Sequence, residues 1–308
     1  MSYHGVARSE RSTVAAASLR TIRIGSMKVI LLILGVCIVV VAIALAASAV
    51  LWRRGSAEFV RRLETRSINS RRVLVQPGRD VLPDPVARYL RHVLRHGQHV
   101  VSRVRLRQEG QFRMGEDEHA WRPFHATQDY STAPVGFIWD ARIRVAPLVD
   151  VYVRDTYQSG AGSIRASLLG VIPLVNAHGA SELKAAALQR YLAEAPWFPM
   201  MLASATGLTW ERIDDMTARA SLTDSGTTVS LEFRFNESGE IVSVFAPVRF
   251  REVNGQYIPT PWLGRFWNYE ERHGILLPSD GEVAWQVSGV SFPYWRGKLV
   301  DIEFDFGG

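Results

Sequence analysis

The 308-residue chain has one cysteine, Cys37, which excludes a disulfide framework and any Cys-rich metal site. It has no Gly-x-Ser-x-Gly elbow and no dinucleotide fingerprint. Gly160-Ala161-Gly162-Ser163 is too short for a phosphate loop and falls between strand patterns, not at a strand-to-helix turn. Internal repeats and low-complexity tracts are also absent. Acidic residues are scarce at the N-terminal end. Residues 1–72 hold twelve Lys and Arg against Glu10, Glu58 and Glu64, whereas the remainder holds 24 basic and 27 acidic residues. The formal net charge of +6 therefore comes from the N-terminal region, and the rest is mildly acidic. A nucleic-acid binder needs basic residues on its folded face, so nucleic acid is not an expected partner. What remains is globular in composition, with 47% hydrophobic and 21% charged residues.

Charge is missing altogether from Val29 to Trp52, 24 residues made mostly of Val, Ile, Leu and Ala. As a helix this run spans about 36 Å, enough to cross a hydrocarbon core of about 30 Å. Lys28 bounds it on one side, Arg53 and Arg54 on the other, and Trp52 stands where an interfacial aromatic belongs. Ala47-Ser48-Ala49 has the form of a signal cleavage site, but the apolar run continues past it, so an uncleaved anchor is expected. Cys37, preceded by Leu34-Gly35-Val36, reads as a buried apolar side chain and not as a lipidation site. Five basic residues precede the span and seven follow it within twenty residues. By count alone this leans slightly toward a cytoplasmic C-terminal domain. Alternatively, the stretch after the span lies on the lipid, with Phe59, Val60 and Leu63 in the membrane and Arg61, Arg62 and Arg66 at the head groups.

Residues 53–81 read as a basic juxtamembrane helix and linker, the latter at Gln76-Pro77-Gly78-Arg79-Asp80. A short helix follows, with Asp84 as its cap, Pro85 at its first position, an apolar stripe of Val86, Tyr89, Leu90 and Val93, and Gly97 as its stop. Beyond residue 100 the period becomes two. Phe137, Trp139, Ala141, Ile143 and Val145 alternate with polar residues, as do Val149, Val151 and Val153. The same holds for Val229, Leu231, Phe233 and Phe235, and for Val300, Ile302, Phe304 and Phe306. This is the pattern of antiparallel strands with one buried face, and ten or eleven strands are expected. One segment breaks the rhythm: a helix capped by Ser181, running from Glu182 to about Ala195 and stopped by Pro196. The expected fold is α+β, mainly β. An N-terminal transmembrane helix precedes a large curved antiparallel sheet, a half-barrel, with a central helix. The regions are a basic tail at 1–28, the transmembrane helix at 29–52, the juxtamembrane segment at 53–81 and the β domain at 82–308.

Four islands carry a resemblance: Leu82-Pro83-x-Pro85-Val86-x-Arg88-Tyr89-Leu90; Phe137-Ile138-Trp139-Asp140-Ala141; the tract from Arg190 to Pro199; and Pro293-Tyr294-Trp295-Arg296-Gly297. Together they resemble a family of uncharacterised bacterial membrane-associated proteins, classed as a domain of unknown function, over about residues 82–306. The resemblance implies no activity. The strand–helix–strand order is also similar to the half-barrel of periplasmic lipoprotein carriers, an analogy of architecture alone.

Eight of the nine tryptophans lie beyond the span. Trp197, Phe198, Trp262, Phe266 and Trp295, with Arg190, are candidate ligand-binding residues lining an apolar cavity for an acyl chain or similar hydrophobe. The alternative is that these aromatics simply fill the core of a curved sheet. Glu194, four residues after Arg190, reads either as half of a helix ion pair or as a semi-buried carboxylate able to pair with Arg142 or act as acid or base. Asp155 breaks the apolar face of its strand and needs a partner, Arg142 or Arg190. Asp140 follows an inward Trp139 and so points outward or toward a loop. These three are the catalytic candidates if the chain is a membrane-surface hydrolase. His92, His96 and His99 suggest a metal site, but Gly97 breaks the helix and Arg91 and Arg95 repel a cation, so no metal and no cofactor is expected. The reading is a non-enzymatic, single-pass inner-membrane protein whose domain sits outside the cytoplasm. It would bind a hydrophobic or lipidic ligand in envelope lipid or lipoprotein handling. Its partners would be the lipid bilayer, that ligand and an envelope protein. A non-catalytic interaction module with a flat aromatic patch is a further alternative.

Overall fold

The computed structural model describes residues 6–66, 82–95, 97, 100–115, 117 and 119–306. The expected linker at 76–80, together with Arg71, Arg72, His96 and His99, lies outside the described residues. The chain divides into two compact units, Met1–Leu51 and Trp52–Gly308, and helix α1 (Val6–Arg66) contributes to both. In the first unit the apolar run is helical, with Val29 to Val41 outward on every side. A helix apolar all round has no polar stripe to turn to water and must be covered by something. Among the described residues, Val29–Thr65 is the one helical stretch long and apolar enough to cross a bilayer, compatible with a single-pass anchor or a signal sequence. Cys37, expected to be buried, is exposed on it, with none of the described residues packed against the helix there.

In the second unit, α2 (Asp84–Val93) begins one residue earlier than expected. Pro83 carries the extended cap backbone, and Asp84 sits in the first turn, where its charge suits the helix terminus. Val86, Tyr89, Leu90 and Val93 are buried as one stripe. The helix ends at Val93, ahead of Gly97, because Leu94 becomes extended and bridges to Ile275. Six strands follow as a meander: β1 (Arg103–Arg113), β2 (Trp121–Thr132), β3 (Val135–Ala146), β4 (Val149–Gln158), β5 (Ala161–Leu168) and β6 (Ile172–His178). Helix α3 (Ser181–Ala193), a single 3-10 turn (Ala195–Trp197) and α4 (Met201–Ser204) come next. A second meander completes the chain: β7 (Leu208–Arg212), β8 (Thr217–Asp224), β9 (Thr227–Phe235), β10 (Ile241–Val253), β11 (Gln256–Arg272), β12 (Ile275–Val287) and β13 (Val290–Asp305).

Antiparallel pairing of β1 with β13 joins the two meanders into one thirteen-stranded antiparallel sheet, open like a half-barrel, with β6 and β7 at its edges. The count exceeds ten or eleven because β6 and β7 are largely exposed and carry no clean apolar alternation. The chain thus starts at the middle of the sheet, runs to one edge, crosses to the other and returns to the middle. The crossing element is α3, which packs on β4 and β5 on one side and on β9 and β10 on the other. The topology therefore places α3 in the curl of the sheet. Leu188, Tyr191 and Leu192 of α3 are fully buried, each stabilising by about 1.5–3 kcal/mol. Ser181 is its first residue and not its cap: Ala180 has the cap backbone, and the Ser181 hydroxyl donates to Glu182 at 2.9 Å.

Strand β13 departs from simple alternation. In β13 the register slips opposite Arg107 and Gln108, so that Arg107 faces Asp301 and Gln108 faces Leu299. Val300 is the extra residue of this bulge and is 41% exposed, whereas Leu299 and Ile302 are buried.

Residues 52–66 of α1 pack on the face of β3 and β4 opposite to α3. Leu63 is only 1% exposed and sits over Gly136, where an added Cβ would stand 2.8 Å from its Cδ2. Leu63 is therefore committed to the sheet and not to lipid, because a β-domain surface is available closer at hand. Glu64 pairs with Arg103 at 2.9 Å, and Arg103 reaches Asp129 at 3.4 Å.

Candidate ligand-binding site

Between α3 and the concave face of the sheet lies a cavity of about 280 Å³. Its apolar wall includes Trp139, Trp197, Trp262, Phe266, Trp285 and Trp295. The ring of Trp197 meets Phe266 at 5.7 Å and Trp295 at 6.2 Å, both edge to face. Trp262 donates its indole N–H to the Tyr294 hydroxyl at 2.9 Å, and Trp197 donates to the Pro278 carbonyl at 3.1 Å. These buried indoles are fixed by hydrogen bonds as well as by packing.

Room for the large rings comes from glycine. Phe266, Gly281, Gly297, Gly110 and Phe124 are successive cross-strand neighbours over β11, β12, β13, β1 and β2. Directly paired residues share a face, so three glycines form a trough between two phenylalanines. The Trp295 indole lies in it: a Cβ on Gly297 would overlap that ring, and one on Gly281 would stand 3.5 Å from it.

The polar part of the wall is an ion cluster. Arg190 on α3 reaches Asp155 on β4 at 2.6 Å and Glu194, just past the helix end, at 2.9 Å. All three are largely buried, with side chains 18%, 14% and 15% exposed. The second Glu194 oxygen accepts from the Gln128 amide and the Tyr130 hydroxyl, both at 2.7 Å. The Arg190 guanidinium also lies over the rings of Trp139 and Phe137, at 5.0 and 5.3 Å. Burial raises the pKa of Asp155 above the usual carboxylate value, and Arg190 opposes this only in part. Burial works against the Arg190 charge, but Glu194 and Asp155 outweigh it and hold its pKa above the ordinary arginine value. The Tyr130 hydroxyl is pushed well up, first by burial and then by the Glu194 charge. Arg142, the other expected partner, lies over the Tyr152 ring at 4.0 Å instead.

Two expected site residues lie elsewhere. Phe198 directly follows the 3-10 turn that ends at Trp197. It packs into the core behind α3, 4.4 Å from the Tyr130 ring and 5.4 Å from Tyr191. Asp140 is on the opposite face of β3, where it accepts from the Trp52 indole at 3.0 Å and from the Ser56 hydroxyl. Arg154 completes that cluster, donating to the Trp52 carbonyl at 2.6 Å. Asp155 and Glu194 are thus brought together through one arginine, and Asp140 is not part of the group. Among the described residues, no three His, Cys, Asp or Glu side chains are grouped to hold a metal ion.

Residues 80–304 match a family of unknown function, DUF6920. The chain belongs to that family. Its cavity, α3 and the whole sheet fall within the matched residues but for one terminal residue of β13. No curated protein sequence matches the chain. Among solved structures, the crystal structure of a LolA superfamily protein from Nitrosomonas europaea is similar at 10% identity, covering 66% of this chain and 86% of that one. The TM-score is 0.37, and a likeness so distant carries no argument about function.

Sequence reasoning missed Arg249 and Arg251, which also line the cavity. Alternation from Val244 and Ala246 sets Val248 and Phe250 inward and the arginines outward. A bulge between Ala246 and Arg249 brings the arginines to the Ala246 face, since Ala246 pairs with Trp262, Arg249 with Thr260 and Arg251 with Ile258, while Phe250 and Glu252 still reach the cavity. Val248 is left exposed and the arginines turn in. Pro247 is the one local signal, since a proline interrupts a strand's hydrogen-bond ladder.

Proposed function

We propose that the β domain binds a hydrophobic or lipidic molecule in the cavity beneath α3, as a non-catalytic component of envelope lipid or lipoprotein handling. The observation that carries this is a concave wall of buried tryptophans and phenylalanines held open by a glycine trough. The concavity favours a small ligand over a protein partner, which would need a flat exposed patch. The carboxylates favour binding over hydrolysis, because Asp155 and Glu194 share Arg190 as counter-ion and neither stands free as an acid–base pair. The apolar helix supports anchorage by a single span; in this reading the membrane is the inner one and the β domain lies outside the cytoplasm. Within the second unit, Trp52 packs against Tyr152 near the start of β4, and the hairpin turns at that end carry exposed Leu148, Val171 and Ile172, side chains suited to a lipid interface.

The test is extraction and mass spectrometry of organic molecules carried by the full-length, detergent-purified protein and by a Val283→Trp variant. Val283 lines the cavity on β12. One amphiphile per wild-type chain, absent from the variant, is the expected result. Equal carriage by both proteins, or none by either, refutes the proposal.

A further inference from the structure

We infer that the cavity is built for an anionic amphiphile with a single chain, whose oxyacid head group sits on Arg249 and Arg251. This rests on the cavity being a ligand site. Eight charged residues line the wall, and most are answered by others. Arg190 serves Asp155 and Glu194. Arg265 pairs with Glu282 at 3.2 Å, and Glu282 also takes Arg296 at 2.6 Å. Glu252 accepts the Gly255 amide at 2.6 Å. Arg249 and Arg251 are left with no ion-pair partner among the described residues, and each has a buried Nε with no hydrogen-bond partner. Arg249 uses one terminal nitrogen on the Ala186 carbonyl at 2.8 Å and lies over the Trp262 ring at 5.1 Å. Asp155 and Glu194 favour the Arg249 charge from beyond ion-pair distance, but a guanidinium with no anion in direct contact gains from one that arrives at hydrogen-bond distance, and its planar fork matches a carboxylate or phosphate.

The position of the two arginines along β10 gives the ligand its polarity. Burial falls along the strand from Val244 and Ala246, fully buried, through Arg249 and Arg251, half-buried, to the exposed Asn254–Gly255 turn. The head group therefore meets the arginines at the wetter end, and the chain runs inward along Trp262, Phe266, Trp197 and Trp295. A volume of about 280 Å³ is at the small end for ligand pockets, which favours one chain over two.

The experiment uses the full-length protein in a maltoside detergent. A brominated stearic acid quenches tryptophans that its chain touches. Dodecanoate, dodecyl phosphate, methyl dodecanoate and dodecyltrimethylammonium then compete for the site. Saturable quenching is expected, with one or both anionic chains competing about tenfold or more better than the neutral ester and the cation weakest. The stronger of the two anions tells a fatty acid from a phosphate-headed lipid. In Arg249→Gln/Arg251→Gln that preference falls to near parity, while ester competition shows the pocket intact. Should the double variant fail to fold, Arg251→Gln alone and the four wild-type competitors still decide. Equal competition by anionic and neutral chains, or a preference for the cation, overturns the head-group assignment and leaves the cavity reading standing. Absence of saturable quenching overturns the cavity reading itself.

Discussion

Replacing Arg190 by methionine removes the one cation that, among the described residues, is ion-paired with both Asp155 and Glu194, while keeping the aliphatic contacts with Trp139 and Phe137. Both carboxylates stay under α3, largely out of water. Breaking a buried pair from one side costs about 3–5 kcal/mol, because the remaining charge is uncompensated. For a domain of this size that corresponds to a fall of roughly 6–20 °C in Tm. The loss depends on pH, and its sign follows from Asp155. Burial already raises its folded-state pKa above the unfolded value. The folded state therefore holds the proton more tightly, and stability declines as pH rises from the unfolded pKa through the raised folded one. Without Arg190, which lowers that pKa, the folded value climbs further and the window widens upward. Arg190→Met should thus be most destabilised at neutral pH and recover as pH falls through the raised folded pKa toward the unfolded one. Urea unfolding of full-length protein, followed by tryptophan fluorescence at several pH values, measures this. Arg190→Met/Asp155→Asn/Glu194→Gln should regain most of the lost stability at neutral pH, since no uncompensated charge remains. A loss under about 1 kcal/mol at neutral pH, or one equal at both ends of the range, refutes the assignment of Arg190 as the shared counter-ion.

Leu63→Ala should destabilise the β domain by about 2–5 kcal/mol in denaturant titration, as expected for a fully buried leucine. A change near zero would mean that the segment does not rest on Gly136. Gly297→Val puts branched carbon where the Trp295 indole lies and should cost about 1–3 kcal/mol, with an altered near-ultraviolet tryptophan signal. An unchanged spectrum and melting point would show that the glycine trough does not position that ring.

Much of the architecture was legible in the chain. An apolar run with charges only at its ends can be helix in lipid or in a core, and it lacks the polar stripe of an ordinary surface helix. Period-two alternation located β3, β4 and β9 because one face of each packs on a common core. Asp155 was visible as a carboxylate on an apolar face, and a buried charge demands a counter-ion, which Arg190 supplies. Its spacing of four from Glu194 was equally readable on a helix.

What tertiary structure alone decided is where strict alternation breaks and which element faces which. A single extra residue in a strand turns every later side chain to the other face. That shift brought Arg249 and Arg251 into the cavity and pushed Val300 out of the core. The glycine trough is likewise invisible along the chain, because Gly110, Gly281 and Gly297 meet only through long-range pairing. Local sequence determined the elements through short-range sterics and hydrophobic period. Register is set by packing summed over many strands, so the assembled sheet decided the contents of the site.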